Sequence, residues 1–275
     1  NKVNLTREIL SQCKNLKYIG VFATGYNVVD IEAAREFGIV VTNIPSYSTM
    51  AVAQAVFALI MEFTNNVSEH SKSVMNGDWI NAKDFCYWIS PLTELYNKTI
   101  GLIGFGSIGQ RVAKIASSYG MKVIVHTRTE SKVTEYNKDV HEDEKVKFVT
   151  LDELLSTSDI VSLHCPLTNE NKGLINSDAL KKIKDGALLI NTARGPLVDE
   201  QAVRDALDSG KLRGYATDVL SSEPMSEDCP LLNAKNCVIT PHVAWAAKET
   251  RERLLSIAVE NLRSFLNGKV INRVN

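Results

Sequence analysis

The feature that most constrains this chain is a glycine-rich turn placed between a short apolar segment and a segment of helical character. The apolar segment before the turn is rich in residues that favour buried strands, and a second such segment follows the helix. The strand, turn, helix and second strand are predicted, in order, over Thr99–Ile103, Gly104–Gly109, Gln110–Tyr119 and Met121–Thr127. This succession is the context in which G-x-G-x-x-G is strong support for a dinucleotide-binding turn rather than a βαβ unit with incidental glycines.

Each glycine of the motif has its own physical role. Gly104 permits a tight turn, Gly106 lets the backbone approach a pyrophosphate, and Gly109 lets the helix pack closely on the strand. Ser107 and Ile108 lie within the turn, and the N-terminus of the helix that follows it offers free N–H groups to phosphates. We therefore expect all five residues to bind a cofactor.

Composition excludes several other classes of protein. The chain has 275 residues, 44% of them apolar, and a net charge of −1 without a basic run, so neither nucleic acid nor an acidic membrane surface is predicted as a partner. Its five cysteines are scattered, odd in number and form no C-x-x-C pair, which favours reduced thiols in the cytoplasm over disulfides or zinc. No apolar run is long enough to suggest a membrane span.

Seven short apolar segments alternate with helical patterns from Thr99 onward. They are Thr99–Ile103, Met121–Thr127, Val146–Val149, Asp159–His164, Ala187–Asn191, Gly214–Thr217 and Cys237–Thr240. The alternation predicts an α/β fold with a doubly wound, Rossmann-type parallel sheet over residues 98–245. We expect this dinucleotide-binding domain to be inserted into a second, smaller, flavodoxin-like α/β domain formed by residues 1–97 and 246–275.

The smaller domain is predicted to contain a βαβ unit and a terminal strand. Strands over Leu16–Ala23 and Ile39–Ile44 flank a helix over Asp30–Phe37, and a third strand over Lys269–Val274 follows a helix over Lys248–Leu266. A parallel sheet this small is unstable by itself. We therefore expect an N-terminal part of this domain, about one βαβ unit of 30 residues or more, to be absent from this sequence.

A long apolar helix and an aromatic loop lie between the two predicted βαβ units. The helix starts at Ser48 or Thr49, and its apolar residues keep helical spacing as far as Val74. The pattern fits a link between domains, a dimer contact or simple core packing, and the sequence does not choose among them. The loop Trp79–Tyr96 is dense in aromatic residues, which suggests that a partner subunit or the other domain covers it. We predict a homodimer.

The residues after the second strand of the nucleotide unit bear on the choice of cofactor. An NAD site usually has Asp or Glu there to hold the ribose 2′-hydroxyl, whereas this chain has Thr127 and Arg128. A missing carboxylate and an added guanidinium favour a 2′-phosphate. We therefore favour NADP over NAD, with the alternative that Arg128 is a solvated charge and Thr127 still accepts NAD.

Three ionisable residues follow late strands of the predicted sheet, and ligands of parallel sheets bind beyond the carboxyl ends of strands. Arg194 is suited to grip a substrate carboxylate. Glu223 and His242 together suit acid–base chemistry, because a carboxylate stabilises and orients a protonated imidazole. Each residue alone has an ordinary structural explanation. Asp218 either meets a nicotinamide amide or caps a loop.

Several motifs resemble the D-isomer-specific 2-hydroxyacid dehydrogenase family. They read IGFGSIGQ, LHCPLT, NTARGPLVDE, ATDVLSSEP and TPHVAW, and the resemblance covers essentially the whole chain. ATGYNVVD, DFCYW and HVAWA are most similar to the glycerate dehydrogenase (hydroxypyruvate reductase) branch.

The resemblance implies roles for individual residues. It makes Arg194, Glu223 and His242 catalytic, and it assigns Ala23, Thr24 and Gly25 to a loop whose backbone N–H groups hold the substrate carboxylate, together with Arg194. The further cofactor-binding residues that it implies are Cys165, Pro166, Thr192, Ala193 and Asp218. Thr127 and Arg128, which we also expect to bind the cofactor, depart from the family pattern because they replace its acidic ribose residue.

The implied reaction is hydride transfer between NAD(P)H and a small 2-oxo acid, with hydroxypyruvate and glyoxylate as the leading substrates. Glu223 stands where formate dehydrogenases of this family carry Gln, which argues against that chemistry. The alternatives are a nucleotide-sensing, corepressor-like protein of the same family and a methyltransferase with a glycine-rich turn. Arg194, Glu223 and His242 have no evident role in a methyltransferase.

Overall fold

The computed structural model of the protein describes residues 3–275 as helices and strands in an α/β arrangement. The helices are α1 Arg7–Gln12, α2 Ile31–Glu36, α3 Thr49–Thr64, α4 Val67–Met75, α5 Ser107–Ser118, α6 Ser131–Lys138, α7 Leu151–Thr157, α8 Ser177–Lys182, α9 Glu200–Asp208 and α10 Lys248–Leu266. The strands are β1 Tyr18–Gly20, β2 Val40–Thr42, β3 Thr99–Ile103, β4 Lys122–His126, β5 Lys147–Phe148, β6 Ile160–Leu163, β7 Ala187–Asn191, β8 Leu212–Thr217 and β9 Cys237–Ile239.

The chain divides into two compact units. Unit 1 runs up to Ala51 and includes Trp245–Asn275, and unit 2 is Val52–Ala244. The predicted boundary at residues 97 and 98 differs from this division, because residues 52–97 pack with unit 2. Val56 and Ile60 of α3 lie in the same buried cluster as Ile100 and Leu102 of β3. For α3, simple core packing is therefore the interpretation that the structure confirms.

Unit 2 is built on a seven-stranded sheet in the order β5-β4-β3-β6-β7-β8-β9, with every neighbouring pair parallel. All seven predicted strands of this sheet are confirmed. The chain order reverses beside β3, whose neighbours are β4 on one side and β6 on the other. In open α/β sheets such a switch point is where ligands bind, beyond the carboxyl ends of the strands. The glycine-rich turn follows β3 at this point.

The sheet of unit 2 has a buried layer on each face, as a doubly wound fold requires. Ile160 and Leu188 lie in the cluster with α3 and α5, while the next residues, Val161 and Leu189, lie in the cluster with α7, α8 and α9. Successive strand residues point to opposite faces, so buried strands of this kind read as continuous apolar runs. The strands of this sheet are therefore predictable from the sequence as short apolar runs.

Unit 1 contains the predicted βαβ unit, with β1 and β2 parallel and joined through α2. Asp30 caps α2 by accepting a hydrogen bond from Ala33 N at 2.8 Å. The predicted strand over Lys269–Val274 is wrong. Only an isolated antiparallel bridge joins Arg273 to Thr42 there, because Asn272 has a φ of 51° and interrupts the extended backbone.

The predicted long helix is also interrupted. It ends at Thr64 and a separate helix, α4, begins at Val67 after a bend of 53°, because Asn66 has a φ of 52° and lies outside right-handed helical conformation. Within the described part of the chain, no single helix is long and apolar enough to cross a membrane, and the bent pair α3–α4 passes only on combined length and composition.

Candidate active site

The glycine-rich turn adopts the geometry that its sequence predicts. Gly104 has a φ of 97°, and a Cβ there would lie 2.6 Å from the backbone nitrogen of Cys165. A Cβ on Gly109 would lie 2.6 Å from the carbonyl oxygen of Gly104, so only glycine allows α5 to start this close to the turn. At Gly106, in contrast, no atom of the described residues beyond its chain neighbours lies within 4 Å of the Cβ position, which leaves open space beside the N-terminus of α5.

Thr127 and Arg128 follow β4, the strand beside β3. Thr129 N donates a hydrogen bond to Thr127 Oγ1 at 3.4 Å. The charge of Arg128 acts on two groups in the segment after β6. Burial raises the pKa of the Cys165 thiol, with Arg128 opposing that shift, and a hydrogen bond from Thr168 lowers the pKa of Glu170, with Arg128 adding to it. Arg128 therefore lies near the segment after β6, at the carboxyl ends of the strands, where the glycine turn also lies.

The segment after β6 is held by an asparagine. Thr168 N donates to Asn171 Oδ1 at 2.7 Å, and Asn171 Nδ2 donates to the carbonyl oxygen of Pro166 at 2.8 Å. Cys165 and Pro166, both predicted to bind cofactor, are thus part of a braced loop at the carboxyl end of β6.

A second buried asparagine shapes the loop after β7. Asn191 Oδ1 accepts from Ala193 N at 3.0 Å, and its Nδ2 donates to the carbonyl oxygen of Arg194 at 2.9 Å. The exposed Arg194 side chain donates from Nη1 to Ala193 O at 2.7 Å. Thr192 Oγ1 is buried and has no hydrogen-bond partner within residues 3–275. A buried hydroxyl of this kind costs free energy unless a further group pairs with it.

Asp218, directly after β8, fixes the segment that carries His242. Its buried carboxylate accepts hydrogen bonds from Thr240 Oγ1 at 2.5 Å, Val243 N at 2.8 Å and Ala244 N at 2.9 Å. Of the two interpretations from sequence, the loop cap is therefore present in the structure. Contact with a nicotinamide amide stays a prediction.

Glu223 and His242 form a hydrogen-bonded pair. Glu223 Oε2 accepts from His242 Nδ1 at 2.8 Å, and Glu223 Oε1 accepts from Leu220 N at 3.1 Å. His242 has a φ of 55°, a conformation that residues other than glycine adopt at a cost and that is enriched at functional sites. The pair is partly exposed, with 23% of the Glu223 side chain and 40% of the His242 side chain accessible.

The three predicted catalytic residues thus come from the ends of neighbouring parallel strands. Arg194 follows β7, Glu223 lies in the segment after β8, and His242 follows β9. The segments after β7 and β8 touch, since a Cβ on Gly195 would overlap the backbone of Leu220 at 2.0 Å. The arrangement has an imidazole, a carboxylate that is hydrogen-bonded to it and an exposed guanidinium.

The predicted substrate loop, Ala23–Gly25, belongs to unit 1 and follows β1. Ile44 N donates to Ala23 O at 3.0 Å, and Thr24 Oγ1 donates to Ile44 O at 2.8 Å. Sequence reasoning missed Asn43, whose Nδ2 donates to Thr24 O at 2.8 Å, and it missed Asn191. The one available signal was an asparagine closing an apolar strand, which by itself is common at turns.

The residues present fit a nicotinamide dinucleotide. The space at Gly106 beside the N-terminus of α5 suits a pyrophosphate, and the orphaned hydroxyl of Thr192 is suited to pair with a polar group of a ligand. Fold and residues together define the class of a dinucleotide-dependent oxidoreductase with acid–base machinery.

Comparison with known proteins identifies the family. Residues 57–244 match the sequence profile described as "D-isomer specific 2-hydroxyacid dehydrogenase, NAD binding domain". The hydroxypyruvate reductase of Blautia hydrogenotrophica is 47% identical over 275 residues, which are 100% of this chain and 83% of that protein. The glycerate dehydrogenase of Methylorubrum extorquens is 39% identical over 276 residues, again 100% and 83%.

A solved structure has a similar fold. The acyclic imino acid reductase Bsp5, in complex with NADPH and D-Arg, superposes with a TM-score of 0.85 at 33% identity, covering 99% of this chain and 83% of that one. The chain belongs to the D-isomer specific 2-hydroxyacid dehydrogenase family, and it is an oxidoreductase. Because the matched relatives are reductases and dehydrogenases, the alternative of a corepressor-like binding protein has no support.

Proposed function

We propose that the protein reduces hydroxypyruvate and glyoxylate to D-glycerate and glycolate with a nicotinamide cofactor. The observation that carries the proposal is the 2.8 Å hydrogen bond between Glu223 and His242, at strand ends of the sheet that also bears the glycine turn. The similarity to a hydroxypyruvate reductase and a glycerate dehydrogenase supports this choice of substrate.

His242 is the proposed acid. A carboxylate only accepts hydrogen bonds, so Nδ1 donates to Glu223, and Nε2 is the nitrogen through which the ring passes a proton to the developing alkoxide. Glu223 orients the ring and stabilises its positive charge. Arg194 binds the substrate carboxylate and stabilises the polarised carbonyl oxygen. When bound, the reduced nicotinamide supplies the hydride.

The residues proposed to hold the cofactor lie just after the carboxyl ends of the strands of unit 2. The turn Gly104–Gly109 and the N-terminus of α5 would hold the pyrophosphate, with Cys165, Pro166, Thr192, Ala193 and Asp218 as further cofactor contacts. For the ribose, Thr127 and Arg128 favour the 2′-phosphate of NADP, because they stand where an NAD site usually has an acidic residue to accept from a 2′-hydroxyl, and Glu130 lies too far on to replace it.

The loop Ala23–Gly25 is proposed to bind the substrate carboxylate through backbone N–H groups. Its resemblance to the family's substrate loop supports this role, and so does the bracing of its carbonyl groups by Asn43 and Ile44.

We further propose a homodimer in the cytoplasm. All five cysteines are free, as expected for a reducing compartment. The segment from α4 to the aromatic loop exposes Met75, Ile80 and Phe85, each by more than 80%, and a large exposed apolar patch is typical of an interface. A second copy of this chain is the proposed occupant.

An initial-rate assay tests the proposed reaction. The full-length protein is mixed with hydroxypyruvate or glyoxylate and, separately, with NADPH or NADH, and the loss of absorbance at about 340 nm is followed. Turnover with either acid and either cofactor supports the proposal. Cofactor binding without turnover of either acid contradicts the substrate assignment and directs attention to other 2-oxo acids.

A further inference from the structure

The predicted substrate loop offers three consecutive backbone N–H groups. Within residues 3–275, no group accepts a hydrogen bond from the backbone nitrogen of Ala23, Thr24 or Gly25. Gly25 and Ala23 are partly exposed and Thr24 is exposed, so these groups are open to a ligand. Successive backbone N–H groups in an irregular segment are a recurrent way of binding anions. The inference below rests on the proposed function of this loop.

The direction of these N–H groups is set by the carbonyl groups that precede them. In a planar trans peptide the C=O and the following N–H point in opposite directions. The 3.0 Å hydrogen bond from Ile44 N to Ala23 O therefore fixes the direction of the Thr24 N–H. The 2.8 Å hydrogen bond from Asn43 Nδ2 to Thr24 O likewise fixes the direction of the Gly25 N–H. The second bond is the one that a side chain supplies.

Asn43 is itself held rigidly from the other end of the chain. It is 9% exposed, its carbonyl oxygen accepts from Asn261 Nδ2 at 2.9 Å, and its N–H donates to Asn272 O at 3.1 Å. Asn261, on α10, is 1% exposed and accepts from Asn272 Nδ2 at 2.8 Å. A network of buried amides thus fixes the Asn43 backbone, and with it the side chain that reaches the loop.

We propose that Asn43 is a positioning residue for binding of the substrate carboxylate. It acts through the Thr24–Gly25 peptide and keeps the Gly25 N–H aimed at the anion before the substrate arrives. Because the role concerns the substrate acid alone, loss of the side chain should weaken binding of 2-oxo acids and leave cofactor binding unchanged. A purely structural role would instead lower thermal stability without this selectivity.

The test compares Asn43→Ala and Asn43→Asp with the wild-type protein. Asp has the shape of Asn but only accepts hydrogen bonds, so it cannot donate to Thr24 O. We expect KM for hydroxypyruvate to rise about ten-fold or more in both variants, as for loss of a hydrogen bond that supports a charged ligand. The inhibition constant of oxamate, a 2-oxo acid analogue that is not reduced, should rise in parallel, with kcat changed much less and the Kd of NADPH or NADH unchanged.

Asn275→Ala is the matched control. Asn275 also lies in unit 1 and makes two side-chain hydrogen bonds to the strand region, from Nδ2 to Ile39 O at 2.6 Å and from Val41 N to Oδ1 at 2.9 Å, without touching the loop. The KM of Asn275→Ala for hydroxypyruvate should stay at the wild-type value. Thermal denaturation of all three variants shows whether they fold, and the isosteric Asp variant decides the matter if the Ala variant does not.

Two results overturn the proposal. One is an active wild-type protein whose Asn43 variants keep the wild-type KM and oxamate inhibition, and the other is an equal rise in KM for Asn275→Ala, which would indicate general loosening of unit 1. A wild-type protein that binds cofactor but turns over neither acid contradicts the proposed function instead.

Discussion

At the scale of single residues, His242 is the group on which the proposed chemistry most depends. Three features converge on it: the hydrogen bond to Glu223, the left-handed backbone conformation and the clamp that Asp218 places on the residues on either side. A strained conformation persists only where the surroundings over-determine it, and here the Asp218 carboxylate supplies that constraint.

Replacing His242 by Ala removes the proposed proton donor. We expect kcat for hydroxypyruvate to fall by about 10²–10⁴, the usual contribution of general acid–base catalysis, while the Kd of the cofactor stays within about two-fold. Steady-state kinetics and fluorescence titration with NADPH measure the two quantities. His141→Ala, at an exposed histidine, is the control and should match the wild type. Equal loss of turnover and cofactor affinity in His242→Ala would refute its role as the acid.

Arg128 is the residue on which cofactor preference is expected to depend. Arg128→Asp replaces the cation proposed to bind the 2′-phosphate with a carboxylate that can accept from a 2′-hydroxyl. The ratio of kcat/KM for NADPH to that for NADH should fall at least about ten-fold. Lys138→Asp makes the same charge change at an exposed position at the end of α6 and should leave the ratio unchanged. An unaltered ratio in Arg128→Asp would mean that this guanidinium does not contact the cofactor's phosphate.

At the scale of elements, the strands of unit 2 were predictable and some of the connecting pieces were not. Buried parallel strands are continuous apolar runs between turn residues, a signal that local sequence carries. Helix α6 was missed because its sequence is mostly polar, with Val133 as its buried residue. The errors at Asn66 and Asn272 share one cause, since asparagine adopts positive φ where the tertiary structure demands it.

The candidate site likewise has a part that the sequence predicts and a part that it does not. Arg194, Glu223 and His242 were predicted from the rule that strand ends bind ligands, combined with a resemblance carried by specific motifs. The contacts that hold them were not, because the clamps by Asp218 and Asn191, like the bond from Asn43 to Thr24, join positions that are distant in sequence or depend on a side chain's rotamer. Buried polar side chains of this kind follow no periodicity.

At the scale of the whole molecule, the notable surface lies on unit 2, from α4 through the aromatic loop. The loop is ordered, with Trp79 Nε1 donating to Phe85 O at 3.0 Å and Tyr87 Oη sharing a hydrogen bond with Ser73 Oγ at 2.9 Å. It nevertheless leaves 83% of Phe85 and 66% of Trp88 exposed. An ordered segment that presents aromatic side chains to solvent is suited to burial against a second copy, since aromatic residues are enriched where interfaces bind most strongly.

Trp88→Glu tests this interpretation, because it places a charge where the proposed interface would bury an indole. Sedimentation equilibrium should show a dimer for the wild-type protein and at least a ten-fold weaker dimer, or a monomer, for the variant, since truncating a central aromatic of an interface commonly costs 2 kcal/mol or more. Leu232→Glu, at an exposed apolar position outside this surface, is the control and should remain dimeric. A monomeric wild-type protein would contradict the homodimer, and a dimer unaffected by Trp88→Glu would place the interface on another surface.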